Sequence, residues 1–232
     1  MRSPAETASA PARSPAAGKV SLDPRAPTRF PADLAPPVPG NPAAPSAAYD
    51  HLMAILRARR SCRRYDPARP VPTPLLDLCV EAARLAPSAC NRQPWRFVLA
   101  TDPAVVAQLR AGARRAGVPH PWWDHVPAFV ALCAKLDLLT HTVAPIFSGI
   151  PYYLLDLGIA GEHFVLAAET LGLGTCWIGW FDERAARRIL QLPRSWRLVS
   201  LLTVGWPEAA AADTPRASRL ELAAIRHWNR GE

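Results

Sequence analysis

The sequence predicts a layered α/β or α+β sandwich, and three observations carry that prediction. Segments of helical apolar period alternate with short, dense apolar runs from about residue 47 onward. Four of those runs, 95–101, 126–134, 174–180 and 198–206, are bounded by turn residues and read as buried strands. One long segment, 152–172, is apolar on more than one side, which a helix is only when it is covered on more than one side. Half of the 232 residues are hydrophobic and 20% are charged, enough apolar surface to build a sizeable core.

Residues 1–46 differ in kind. They hold 11 Pro and 11 Ala and one aromatic, Phe30. Repeated proline removes backbone donors and interrupts helices, so a disordered or polyproline-like arm is expected, outside a domain spanning 47–232. Ser46 is a plausible N-cap for a helix through Tyr49, Leu52, Met53 and Leu56. Thr73-Pro74 opens a second helix with Pro in its first turn, an apolar stripe of Leu75, Leu78, Cys79, Ala82 and Ala86, and a stop at Pro87. Asp102-Pro103 opens a third, ended by Gly117. In 152–172, Leu157, Gly161, Phe164, Ala168 and Leu171 form one stripe, and Leu155, Ile159 and Leu166 lie on another side. Gly158, Ala160 and Gly161 would let another backbone approach closely. Asp182 caps a helix over 182–191, and a short helix is expected to end near His227-Trp228.

Charge and cysteine usage narrow the function classes. The net charge is +8, and Lys19 and Lys135 are the only lysines, so arginine carries nearly all of the positive charge. A pI near 9.8 raises nucleic-acid binding. The arginines cluster beside loop motifs, however, and no recognisable nucleic-acid module is present, so no nucleic-acid partner is expected. Five cysteines without a CxxC pair suggest neither a disulfide framework nor a zinc site and fit a reducing, cytoplasmic location. Asp156, Glu162, His163 and Glu169 interrupt the longest apolar run, so no membrane span is expected.

Four stretches carry chemistry. Arg59-Arg60-Ser61-Cys62-Arg63 places three guanidinium groups around a hydroxyl, a set suited to phosphate and other acceptor oxygens; a solvated helix end reads the same way in isolation. In Ala86–Trp95, two prolines frame Ser88, Asn91 and Gln93, whose donors and acceptors can read the edge of a planar heterocycle or simply close a turn. Gly172–Asp182 brings backbone past something flat, or caps a helix before a core strand. Arg216-Ala217-Ser218-Arg219 adds cations near the C-terminus.

In order and spacing, RRSCRRYD, APSACNRQPWRF, DLGIAGEHFVLAAETLGLGTCWIGWFD and LVSLLTVGWPE resemble the FMN-dependent nitroreductase family, from about Tyr49 to Trp228. The resemblance implies an α+β fold, a three-layer α/β/α sandwich with a mainly antiparallel central sheet and a long buried helix at a dimer interface. It implies that Arg60 and Ser61 hold the FMN phosphate, Arg59 the ribityl chain and nearby ring edge, and Arg63 the N1/O2 side of the isoalloxazine. Asn91 falls at the pyrimidine edge, with Ser88 and Gln93 in the same loop. Ile178 and Gly179 pass beside N5, with the Gly179 N–H as its donor. Arg219, helped by Arg216, matches a phosphate-binding arginine. Cys62 stands where many relatives carry valine, isoleucine or threonine.

The resemblance further implies a homodimer with two interface sites, Arg59–Arg63 and Asn91 coming from one subunit and the Gly179 segment from the other. It implies hydride transfer from NADH or NADPH to FMN and onward to a small-molecule electron acceptor such as a nitroaromatic or quinone, in ping-pong order and without a named acid–base residue. Trp122, Trp123, Trp180 and Tyr152 are offered as pocket walls, or as core. A flavin-sequestering module without nicotinamide turnover is the alternative.

Overall fold

A computed structural model describes residues 46–115, 121–136, 149–209 and 217–231. Residues 1–45 of the arm expected over 1–46, Gly117 and Arg216 lie outside the described residues. In chain order the elements are α1 (Ala47–Ala58), α2 (Thr73–Arg84), β1 (Trp95–Ala100), α3 (Pro103–Gly112), β2 (Ala128–Lys135), α4 (Tyr152–Thr170), β3 (Gly174–Ile178), α5 (Glu183–Ile189), β4 (Trp196–Gly205) and α6 (Leu222–Ile225). The strands form one antiparallel sheet in the order β1-β2-β4-β3.

Both faces of this sheet are covered, giving three layers. Along β2, Val130 and Leu132 face α2 and α4, while Phe129, Ala131 and Cys133 face α3, α5 and the 3₁₀ turn Pro121–His125. That is why β2 reads as a continuous apolar run rather than an alternating one: a strand buried on both sides has no polar face to show. On the first face, Leu76, Cys79 and Ala83 of α2 meet Leu157, Phe164 and Ala168 of α4, and Phe97 stacks on Phe164 with centroids 5.8 Å apart.

The helix starts follow local chemistry. Ser46 Oγ accepts from the Tyr49 N–H at 3.3 Å. Asp102 accepts from Ala104 and Val105, and Asp182 from Ala185. Thr73 lies inside α2, with Pro72 in the cap position and Pro74 in the first turn. α3 ends at Gly112, earlier than expected. Within α2 the buried stripe is rotated from the expected one, since Leu78 is 54% exposed. The helix carries two overlapping apolar stripes, and the one ending on small Ala83 is the one that faces α4.

The two sides of α4 are unlike. Tyr153, Leu157, Ala160, Gly161, Phe164, Val165 and Ala168 are buried, whereas Leu154, Leu155 and Ile159 are exposed. Gly161 admits a side chain, not another backbone: a Cβ there would lie 2.2 Å from the Trp177 ring and 2.7 Å from Leu132. Gly158, on the exposed side, would meet nothing within 4 Å. Among the described residues no helix is long and apolar enough to cross a membrane.

Candidate functional site

The arginine motif is placed by the segment that follows α1. Ser61 forms a parallel bridge to Thr175 and Tyr65 an antiparallel one to Pro207, so residues 61–65 lead from the outer edge of β3 to the segment that follows β4. The Cys62 N–H donates to the Thr175 carbonyl at 2.7 Å. Tyr65, fully buried, anchors the segment: its hydroxyl donates to the Cys62 carbonyl at 2.7 Å and shares a 2.8 Å bond with Thr203 Oγ1. Burial pushes this phenol well above the ordinary tyrosine value, so it stays neutral and keeps its proton for that bond. Cys62 is a filler of fitted size, since a Cβ on Gly174 would come within 2.7 Å of its Cβ and Sγ. Burial also raises the Cys62 and Cys176 thiols, against the pull of Arg63 and a Ser61 hydrogen bond at Cys176. These are packing thiols rather than reactive ones.

Arg60, Ser61, Arg63 and Arg64 line a cavity of about 360 Å³ together with Glu169, Gly174 and the Pro207–Ala209 turn. Three arginines and two glutamates, Glu169 and Glu208, line it, so positive charge is in excess there. Arg64 and Glu169 were not singled out in the sequence; a run of four arginines in six residues was the available signal for Arg64. Arg59 turns instead toward α4, where its Nε lies 3.5 Å from Glu162 Oε1.

At the far end of β3 the Ile178 side chain is buried and its carbonyl accepts from Ser200 Oγ at 2.9 Å, while Gly179 is exposed. A Cβ on Gly179 would meet nothing within 4 Å. Neither internal packing nor a left-handed backbone demands glycine here. The open space beside it is available to a ligand that must approach the main chain closely. Thr175 to Gly179 is four residues, about 13 Å of extended strand, so one sheet edge carries arginines at one end and an accessible backbone at the other.

The amide loop sits elsewhere. Ala89–Asn91 is a 3₁₀ turn in which Cys90 and Asn91 have φ of 50° and 53°, and Gln93 has φ of 49°. Side-chain bonds that fix the loop include Ala89 N–H to Asp156 Oδ1 of α4 at 2.9 Å, Gln93 N–H to Ser88 Oγ at 2.9 Å, and Gln93 Nε2 to Asn91 Oδ1 at 3.1 Å. Asp156 is 3% exposed, and its positioning role was missed; a lone aspartate in an otherwise apolar helix face was the signal.

The loop leads into β1, the opposite edge strand from β3, with β2 and β4 between them. Three strand spacings are about 14 Å. One chain therefore brings Arg60, Ser61 and Arg63 onto the same edge as Ile178 and Gly179, and holds Ser88, Asn91 and Gln93 at the other. This corrects the expected division of the site, because the Ser61–Thr175 bridge ties the arginines and the Gly179 strand within one chain. Arg219 donates to the carbonyls of Ala217 and Ser218 in its own segment, and 217–231 is exposed throughout.

The offered aromatic walls divide. Trp123 is fully buried with its Nε1 donating to Leu109, and Trp122 packs between Tyr65 and Trp123, because the Pro121–His125 turn lies on the sheet. Trp180 is 62% exposed beside Gly179.

Comparison with known proteins agrees with this architecture. A family model described as "Nitroreductase family" matches residues 56–206. A putative NADH dehydrogenase/NAD(P)H nitroreductase of Archaeoglobus fulgidus is 30% identical over 165 residues, covering 68% of this chain and 87% of that protein. An FMN reductase [NAD(P)H] of Bacillus subtilis is 31% identical over 193 residues, covering 77% and 73%. The crystal structure of a nitroreductase family protein from Streptococcus pneumoniae superposes with a TM-score of 0.64 at 21% identity, covering 77% of this chain and all of that one. A three-layer sandwich on an antiparallel sheet, an arginine segment along its β3 edge and a sequence match running from α1 to the end of β4 place this chain in the nitroreductase family.

Proposed function

We propose that the protein is an FMN-dependent NAD(P)H oxidoreductase acting on small electron-poor acceptors, with each site built by two copies of the chain. The observation that carries this reading is the β3 edge, with a cationic cavity at one end and a glycine facing open space at the other. The residues fit the group. Arg60, Ser61 and Arg63 present charge-assisted donors to a phosphate and to an electron-rich ring edge. The Gly179 N–H is the main-chain donor beside the reacting edge. Asn91 and Gln93, from a second copy, read the pyrimidine edge of the ring. FMN, when bound, supplies hydride acceptance and donation. The chain's own residues bind and orient it and stabilise negative charge on the ring edge through Arg63.

The second copy is argued from exposed apolar surface. Leu155 and Ile159 flank Gly158 on α4 and stand 55% and 40% exposed. α1 buries no residue, with Leu52 and Leu56 exposed. The C-terminal segment exposes Leu220, Leu222, Ile225 and Trp228. Apolar surface of this extent is characteristic of an interface. The relatives named as NAD(P)H nitroreductase and FMN reductase support the same reading.

The test is reconstitution. Protein supplied with excess FMN and dialysed is expected to be yellow, with one FMN per chain, and to bleach anaerobically on addition of NADH or NADPH. A colourless protein would overturn the reading; a yellow one that neither donor bleaches would favour flavin sequestration.

A further inference from the structure

We propose that a second cleft, beside Gly179, receives the adenylate half of the nicotinamide donor, with Trp180 stacking on the purine and Arg115 and Arg184 holding its phosphates. The inference rests on the reading of Gly179 as the backbone at the hydride-exchanging edge.

The cleft has a volume of about 470 Å³ and shares no lining residue with the arginine cavity at the other end of β3. Gly179 and Phe181 line it, and Arg115 and Arg184 contribute cations. Trp180 stands between Gly179 and Phe181 in sequence, 62% exposed, with the Arg115 guanidinium 5.5 Å from its ring centroid. An exposed indole beside the Arg115 guanidinium, with Arg184 lining the same cleft, offers a flat stacking surface and charge-assisted donors together, the pairing that a phosphorylated purine requires.

The arrangement is held rather than incidental. The Asp182 N–H donates to the Ala113 carbonyl at 2.9 Å, which pins the end of α3 against the turn after β3 and keeps Arg115 beside Trp180. The Asp182 carboxylate is turned inward to cap α5 through Ala185. Glu183 is the other carboxylate lining the cleft and opposes a phosphate. A donor whose nicotinamide lies at the Gly179 end of the strand thus meets a stacking surface and two cations in the same cleft. An acceptor without a nucleotide half makes no use of them.

The experiment uses the flavin-loaded protein and ADP as the probe, read by titration calorimetry and by competition. ADP is expected to bind, to compete with NADH and NADPH, and to leave reduction by nicotinamide mononucleotide in its reduced form unaffected. Arg115→Ala, Arg184→Ala and Trp180→Ala are each expected to weaken ADP binding about tenfold or more, and Glu183→Gln to tighten it, with FMN content and reduction by the mononucleotide unchanged. ADP that does not bind, or binds all variants equally, overturns the proposal. ADP that binds and weakens as expected but does not compete with the dinucleotides marks a free-nucleotide site and overturns the assignment to the donor. Calorimetry with ADP is independent of colour, so failure of the flavin reading shows separately as protein that retains no FMN.

Discussion

The two edges of the sheet are built by different means. The β3 edge is met by the 61–65 segment, locked by a bridge to Thr175, a second to Pro207 beyond β4 and a buried tyrosine, and it carries charge. The β1 edge is entered from a loop tied to α4 through Asp156 and braced internally by the Ser88 hydroxyl and the Asn91–Gln93 amides, with three non-glycine residues at positive φ, and it carries neutral amides. The first suits a phosphate, which is gripped by charge and tolerates modest misplacement. The second suits a ring edge, which is read by hydrogen-bond direction and requires a fixed loop even at the cost of backbone strain. In the proposed two-copy site, the exposed apolar side of α4 is the surface a second copy would cover, and a contact over Leu155 and Ile159 would bring the amide loop of one copy to the arginines of another.

The largest expected effect comes from separating the copies. Leu155→Glu with Ile159→Glu places carboxylates on apolar surface that is exposed in one chain and would be buried at the proposed interface, where an unpaired charge costs several kcal/mol. The double variant is expected to fold, to run as a monomer by light scattering and to retain less than about a tenth of its FMN. Next comes Arg60→Ala on the β3 edge. Loss of a charge-assisted phosphate contact worth about 1.5–3 kcal/mol weakens FMN by about 10- to 100-fold. Its unfolding midpoint is expected to stay near that of the parent, which equilibrium denaturation checks.

A matched pair sharpens the contrast in anchoring. Tyr65→Phe leaves Thr203 Oγ1 without its 2.8 Å partner, and Asp156→Ala leaves the Ala89 N–H without its acceptor. Each is expected to cost about 1–3 kcal/mol of stability. Only Asp156→Ala is expected to weaken FMN beyond what its stability loss explains, because the β3 segment keeps its two bridges while the amide loop loses its tie to α4. The smallest effect is a gain. Cys90→Gly relieves a left-handed residue, and about 0.5–1 kcal/mol of stabilisation is expected in chemical unfolding.

Much of this was legible in the sequence, for identifiable reasons. Dense apolar runs give strands covered on both faces, and Asp102 and Asp182 announce helix starts through short carboxylates placed to cap. The Arg60–Ser61–Arg63 spacing and the glycine at 179 marked candidate site residues without placing them on an edge. What could not be read was which groups share an edge. That depends on the Ser61–Thr175 bridge, a contact between residues 114 positions apart that no local pattern encodes. The Trp122 and Trp123 side chains were equally ambiguous, since an aromatic pair looks the same whether it lines a pocket or fills a core. The anchoring role of Asp156 was hidden for the same reason: its partner, Ala89, offers only a backbone N–H.

The shared site is tested most directly by pairing two defective copies. Chains carrying Arg60→Ala and chains carrying Asn91→Asp, each with a different affinity tag, are refolded together and the mixed dimers isolated. With the arginine of one copy and the amide loop of the other in each site, one site in every mixed dimer is intact, and one FMN per dimer should bind with parental affinity. Mixed dimers that bind no better than either defective parent would mean that both residues serve a site within one chain, and would contradict the account.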